Sequence, residues 1–421
     1  MNAPPLLTSR LIDRLPVHYS WVVLVAGTIA VGMTIPGQTV GVSVFLDFII
    51  DDLGLGRSTV SAVYTAGTLV GSFSLPYIGR AIDRHGPRRA VLLIGSAFAF
   101  ACVFMGFVGS IVTLFVGFAL IRALGQGALG LVSMHTINLW FVRRRGLAIG
   151  LAGVGMALAT SVMPVVINWL IEAFGWRTAY ALLGLAVAVV VLPVGGGFFR
   201  FAPERYGHEP DGKKFEGAES VSATERNFTL AQARRTITFW LFASGAFFTA
   251  MLGTGLVFHH FSIMDNNGLS RELAATVFIS FGIVQAIANF LTGWLLDRVP
   301  PRFLLAAAQA AMATVMILAT RVSAGPSLLV YGVVFGVMQG MSGAISLTVY
   351  PHYFGRTHQG AIKGMVSTIM VAGTAAGPLL LAIGFDMSGS YRPVLLAAAV
   401  APALIAVITP WLKLVTPTGI R

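Results

Sequence analysis

The chain has 421 residues, of which 56% are hydrophobic and only 10% charged, with a mean hydropathy of +0.82. A water-soluble domain of this length needs far more charge to cover its surface, so composition excludes an ordinary soluble enzyme and points to a chain embedded in lipid. The formal net charge of +12 comes from 28 basic residues scattered over short segments between apolar runs. That is the distribution of a membrane protein's loops, and no nucleic-acid partner is expected.

In chain order, residues 1–18 are polar and carry Arg10 and Arg14. They lack the short apolar core and cleavage site of a secretory signal, so the first helix is expected to stay. A helix needs about 20 apolar residues to cross the hydrocarbon. Polar and Gly/Pro punctuation cuts the chain into twelve such runs: 19–46, 58–82, 88–109, 111–141, 146–171, 176–200, 237–264, 271–296, 302–322, 326–353, 360–386 and 391–414. Several exceed the minimum, which predicts tilt, bending or extension beyond the lipid. The longest polar stretch divides the runs six and six. The expected organisation is an all-α membrane protein with an N-terminal six-helix half (1–201), a cytoplasmic linker (202–235) and a C-terminal six-helix half (236–421). A short surface helix is expected in the linker near Leu230 to Arg235. The single cysteine, Cys102, lies in an apolar run and cannot form an intrachain disulfide.

Charge sets the expected orientation. With a cytoplasmic N-terminus, 22 basic residues fall in inside segments and five (Arg57, Arg177, Arg271, Arg321 and Arg392) fall outside. That asymmetry puts both termini in the cytoplasm, and an odd number of helices would scramble it. The expected location is a bacterial cytoplasmic (inner) membrane.

The segment after the second run reads Gly79-Arg80-Ala81-Ile82-Asp83-Arg84-His85-Gly86-Pro87-Arg88-Arg89. The segment after the eighth reads Gly293-Trp294-Leu295-Leu296-Asp297-Arg298-Val299-Pro300-Pro301-Arg302. Both place Asp-Arg four residues after Gly, followed by a tight turn and then Arg. Their separation of 214 residues is near half the chain. Repeated halves with a site between them are a common transporter construction. Both segments resemble the signature after the second helix of the major facilitator superfamily, and Arg122-Ala123-Leu124-Gly125-Gln126-Gly127 resembles that family's fourth-helix pattern. Leu55-Gly56-Arg57-Ser58-Thr59-Val60-Ser61, Trp140-Phe141-Val142-Arg143-Arg144-Arg145-Gly146 and Asp386-Met387-Ser388-Gly389-Ser390-Tyr391 look like loops of its monocarboxylate porter and oxalate/formate antiporter branch.

The resemblance implies secondary active transport of a small organic anion by alternating access, proton-coupled or by exchange. It also implies that Asp83 and Asp297 latch the halves, with Arg84, Arg88, Arg89, Arg143 and Arg298 as candidate gating partners. A carboxylate beside a helix N-terminus gains a few tenths to about 2 kcal/mol, a scale suited to a gate that must also break. The plainer alternative is that these charges only anchor loops.

Ionisable residues inside a membrane are functional candidates by default. Arg122 lies eleven residues into the fourth run, near mid-membrane at about 1.5 Å per residue. A guanidinium facing a cavity would take a carboxylate in a fork, and Gln126 follows one turn on. The other reading is an arginine bonded to neighbouring helices. Polar pairs at helical spacing add Thr34 and Gln38 in the first run, Gln285 and Asn289 in the eighth, and Gln339 and Ser342 in the tenth. They line a cavity or bond between helices, since lipid would leave them unsatisfied. His135 and Asp47 are the candidates for proton coupling. The branch resembled here carries a helix-eight arginine that binds the substrate carboxylate. Its place falls near Asn289, and there is no arginine between Arg271 and Arg298. Either Arg122 takes that role or the cargo is something other than a simple carboxylate.

No nucleotide-binding Gly-Lys-Ser/Thr loop, metal cluster or nucleophile constellation stands out, so neither enzyme activity nor a cofactor is expected. An exporter of amphiphilic or toxic compounds and a non-transporting sensor on the same scaffold are the competing readings. Twelve helices suffice for one monomeric carrier.

Overall fold

Hydrocarbon offers no hydrogen bonds, so a chain this apolar has to satisfy its backbone within helices. In the computed structural model, all regular structure among the described residues is helical. The described residues are 18–141, 144–209, 228–296, 298–355 and 358–414, and the side chains of 74–77, 79–81, 83, 145, 359 and 360 lie outside the description. Eleven helical stretches among them are long and apolar enough to cross a membrane. They correspond to eleven of the predicted runs. The remaining run, 58–82, lies in a 29-residue helix, Arg57–His85.

Contacts divide the chain into two units: Met1–Ile49 with Ala66–Glu219, and Ile50–Thr65 with Ser220–Arg421. In chain order the first elements are α1 (Tyr19–Gly32), a 3-10 turn (Ile35–Gly37), α2 (Thr39–Leu53), α3 (Arg57–His85), α4 (Pro87–Met105) and α5 (Ile111–Ile121). A π-helical segment (Arg122–Leu129), α6 (Gly130–Trp140), α7 (Arg145–Phe174), α8 (Trp176–Phe198) and a 3-10 turn (Pro203–Tyr206) follow. After the linker come α9 (Leu230–Ala233), α10 (Ile237–Phe258), α11 (His260–Asn266), α12 (Arg271–Leu296) and α13 (Pro301–Ala319). The chain closes with α14 (Pro326–Phe354), α15 (Gln359–Ser388), α16 (Tyr391–Ile408) and a 3-10 turn (Thr409–Trp411). The expected linker helix is α9, a single turn begun by a Thr229–Gln232 capping box.

Two runs depart from plain helices. The first breaks at Ile35-Pro36-Gly37 and resumes to Leu53, beyond the expected end at 46. Pro36 has no N–H to donate, which favours a break there. The fourth run widens into the π segment at Arg122.

In the first unit α4 packs on α8, and α1 packs on α6, α7 and α8. One end is closed by a cluster of Tyr19, Trp140 and Phe141 with Trp21 and Tyr206. There Tyr19 Oη donates to Phe198 O (2.9 Å) and Ser20 Oγ to Trp140 O (3.0 Å). In the second unit α12 packs on α14 and α10 on α15. These crossings are close because small residues line them. A Cβ on Gly377 would overlap the carbonyl oxygen of Met251, and one on Gly340 the carbonyl of Gln285. Large apolar side chains such as Phe107 and Phe290 stand more than three-quarters exposed, which water would penalise and lipid accepts.

The Gly377→Ala variant should lower the melting temperature of the purified protein in detergent, since overpacking against backbone costs about 1–3 kcal/mol or more. Gly153→Ala, where a Cβ meets open space inside α7, should leave it unchanged or raise it.

Candidate functional site

The fourth run starts from a capping box, in which Ser110 and Thr113 bond each other's backbone N–H groups. It continues through α5 to Arg122, where the π segment begins. π turns inserted in α-helices recur at functional sites because they re-aim side chains. The broken first run lies directly against this one. A Cβ on Gly37 would overlap the carbonyl oxygen of Ile121 and stand 3.1 Å from Gly125 Cα, so only glycine fits.

Arg122 is 4% exposed. Its Nε donates to Thr68 Oγ1 on α3 (3.0 Å), and its Nη1 donates to Gly37 O (3.2 Å) and Thr39 Oγ1 (3.3 Å). One guanidinium thus joins three chain segments of the first unit. Thr34 and Gln38 flank the break. Thr34 Oγ1 donates to Val31 O (2.6 Å) and accepts from Gln38 Nε2 (3.1 Å). Gln126 is half-buried, and its Oε1 is shielded from solvent with no hydrogen-bond partner among the described residues. Thr68 and Thr39 escaped the sequence reading. A threonine in an apolar helix carries no mark of the arginine it will meet.

The second unit holds the other amides. Asn289 Nδ2 donates across to Gly340 O (3.3 Å), which joins α12 to α14. Gln285 is half-buried on the same helix. Gln339 Oε1 stands 3.4 Å from the position a Cβ would take on Gly253 of α10. His135 on α6 and Asp47 on α2 are half-buried.

Of the gating candidates, Arg84, Arg88 and Arg89 are exposed around the turn at Gly86. That residue has φ +80°, and a Cβ on it would overlap the Phe201 ring. In the second copy of the motif Pro300 takes φ −52° instead, and Arg302 Nη1 donates to Leu412 O (3.3 Å). Arg298 folds over Trp294, 3.9 Å from its ring centroid, and donates to Trp294 O (3.0 Å). Arg143, Asp297 and the side chain of Asp83 lie outside the described residues.

A further cluster in the second unit brings residues of the 55–61 and 386–391 segments together. Arg57 Nη1 donates to Ser262 Oγ and its guanidinium lies 5.1 Å from the Phe385 ring centroid. Asp386 Oδ2 accepts the N–H of Ser58 (3.2 Å), which puts a carboxylate at the N-terminus of α3. Thr65 Oγ1 donates to Ala375 O (2.7 Å), and Tyr64 packs on Phe258 with centroids 4.3 Å apart. His259 is fully buried between the carbonyl of Pro378 (2.8 Å from Nε2) and the hydroxyl of Tyr391 (3.1 Å from Nδ1). A carbonyl only accepts, so Nε2 carries the proton. In the neutral ring Nδ1 then accepts from Tyr391. Among the described residues no group of His, Cys, Asp and Glu could hold a metal ion.

The family model of the Major Facilitator Superfamily matches residues 22–262 and 242–421. The chain belongs to that superfamily. It is 26% identical to the oxalate:formate antiporter of Oxalobacter formigenes over 65% of this chain and 60% of that one. It is also 26% identical to monocarboxylate transporter 11 of Mus musculus over 75% of this chain and 70% of that one. A crystal structure of a bacterial homologue of the human lysosomal transporter Spinster shares the fold, with a TM-score of 0.68 at 18% identity over 93% and 95% of the two chains. The protein is therefore an integral membrane transporter of the major facilitator fold.

Replacing Asp386 by Asn keeps its size and removes the charge facing α3. Its melting temperature should fall only slightly, because an exposed charge at a helix end contributes about 0.3–1 kcal/mol. Arg57→Ala, which loses both the Ser262 bond and the aromatic stacking, should lower it further.

Proposed function

We propose that this transporter carries a small, monocarboxylate-like organic anion by alternating access, coupled to protons or to exchange, with both termini in the cytoplasm. The carrying observation is Arg122, a buried guanidinium held by the neutral oxygens of Thr68, Gly37 and Thr39 at 3.0–3.3 Å. A carboxylate offers it a charge-assisted, two-pronged partner that those oxygens do not. Gln126, Gln38 and Thr34 supply neutral hydrogen-bonding groups beside it, and Gln285, Asn289 and Gln339 are the corresponding amides of the second unit. The names of two relatives, an oxalate:formate antiporter and a monocarboxylate transporter, support a carboxylate cargo. In this reading Asp83 and Asp297 latch the cytoplasmic ends with their neighbouring arginines, and His135 and Asp47 are the residues to test for coupling.

A second reading, export of amphiphilic compounds, draws on one feature. Asn289 stands where the resembled branch has a carboxylate-binding arginine, and its amide bonds to Gly340 O instead. The half-buried rings of Phe247 and Phe248, 5.3 Å apart, would suit such a cargo.

Thermal stabilisation of the purified protein separates the two. A ligand at 100 times its dissociation constant stabilises by about 2.7 kcal/mol. Mono- or dicarboxylates should raise the melting temperature of the native protein. The response should be lost in Arg122→Ala and weakened in Arg122→Lys, which keeps the charge without the fork. Stabilisation by hydrophobic cations or neutral amphiphiles alone would remove the anion reading. For the gate, Asp83→Asn should slow uptake into vesicles while leaving ligand-induced stabilisation in place.

A further inference from the structure

In the second unit lies a small cavity of about 10 Å³, walled by α10, α13 and α14. Its polar lining is Thr249, Gln309, Ser342, Ser346 and Tyr350. Gln309 is the decisive residue, since it is fully buried on α13. Its Nε2 donates to Gly245 O (3.2 Å) and to Thr249 Oγ1 (3.0 Å), both on α10. Gly245 O can only accept, so the amide cannot be flipped, and the orientation is decided by chemistry rather than by choice of label. The oxygen end is left over. Gln309 Oε1 is shielded from solvent and has no hydrogen-bond partner among the described residues. A buried carbonyl oxygen left unpaired carries its full desolvation penalty. Two lining hydroxyls have long contacts in addition. Thr249 and Ser342 stand 3.5 Å apart, and Ser342 Oγ has Met338 Sδ, a weak acceptor, at 4.0 Å.

We infer that this cavity binds one ordered water molecule, a structural ligand that completes the hydrogen bonding of Gln309 and bridges α13 to α14. The space is that of a single water, and a water needs two to four polar partners, which this lining provides. The ligand must donate to Gln309 Oε1. Water does so with one hydrogen, turns the other toward a serine hydroxyl on α14, and accepts a hydroxyl proton in return. A bare cation of similar size would also face the oxygens, but every lining group is neutral, and an ion removed from water without a counter-charge carries a heavy desolvation cost. The consequence is that Ser342, a polar residue of the tenth run, serves the packing of the second unit through a water rather than reaching cargo directly.

X-ray radiolytic labelling of the full-length protein in detergent tests this, because hydroxyl radicals formed from a bound water modify the buried side chains around it. Phe242 and Tyr350, which line the cavity, should be modified despite their burial. The modification should vanish in Ala246→Val, which fills the space. The melting temperature supplies a second sign. Filling a dry void would raise it, whereas displacing a bonded water lowers it. Ala246→Ser, whose hydroxyl can donate to Gln309 in the water's place, should stay closer to the native value than Ala246→Val. Absent labelling of Phe242 and Tyr350 while exposed aromatics label normally would overturn the inference. So would a melting temperature that rises with sodium chloride but not with choline chloride, since that response marks an ion.

Discussion

A guanidinium inside an apolar bundle has to be surrounded by oxygens, and the first unit is arranged around that requirement at Arg122. Charged side chains at the centre of a membrane helix cost at least about 2.5–3.5 kcal/mol even by the mildest scale. Three local irregularities supply what offsets this. The break at Ile35-Pro36-Gly37 turns a backbone carbonyl toward the arginine. The π segment that starts at Arg122 sets the direction in which its side chain leaves the helix. Thr68 brings a hydroxyl from α3. Each would be a defect alone. Together they form one hydrogen-bonded joint, and the glycines at 37 and 125 are what let the two backbones come close enough to make it.

The second unit meets the same constraint differently. Polar side chains on its helices are received by neighbouring backbone carbonyls. Asn289 finds Gly340, Gln309 finds Gly245 and His259 finds Pro378. Two of these three acceptors are glycines, where no side chain separates the backbone from the neighbouring helix. The two copies of the repeated loop differ in a related way. The first turns through a positive-φ glycine pressed against Phe201, and the second turns through consecutive prolines and anchors Arg302 on the carbonyl of Leu412. The motif is shared, but its backbone solution is not.

For function, this places the buried arginine of the fourth run in the first unit, and the candidates Gln285, Asn289 and Gln339 in the second. Membership of the major facilitator superfamily makes the protein a carrier. Relatives at 26% identity bear names that include carboxylate cargo, and a fold match at 18% identity speaks to architecture alone.

Much of the architecture was legible in one dimension. Length of apolar runs, punctuation by Gly and Pro, and a motif repeated across 214 residues are all linear features, because crossing a bilayer is a demand each helix meets on its own. The burial of Arg122 was legible for the same reason. What it bonds to was not. Thr68 and Thr39 lie 54 and 83 residues away, and nothing in their own neighbourhoods marks them. The bonds of Arg57 to Ser262 and of Ser58 to Asp386 likewise join residues more than 200 positions apart, and Gln309 stands as an isolated amide in an alanine-rich helix. The sequence by itself determined that the chain spans a membrane and that a charge would sit within it, since hydrophobicity and helix length act locally. Which oxygens receive that charge, and which amides meet carbonyls, was decided only by tertiary packing, because hydrogen-bond partners between helices are chosen by how closely two backbones approach.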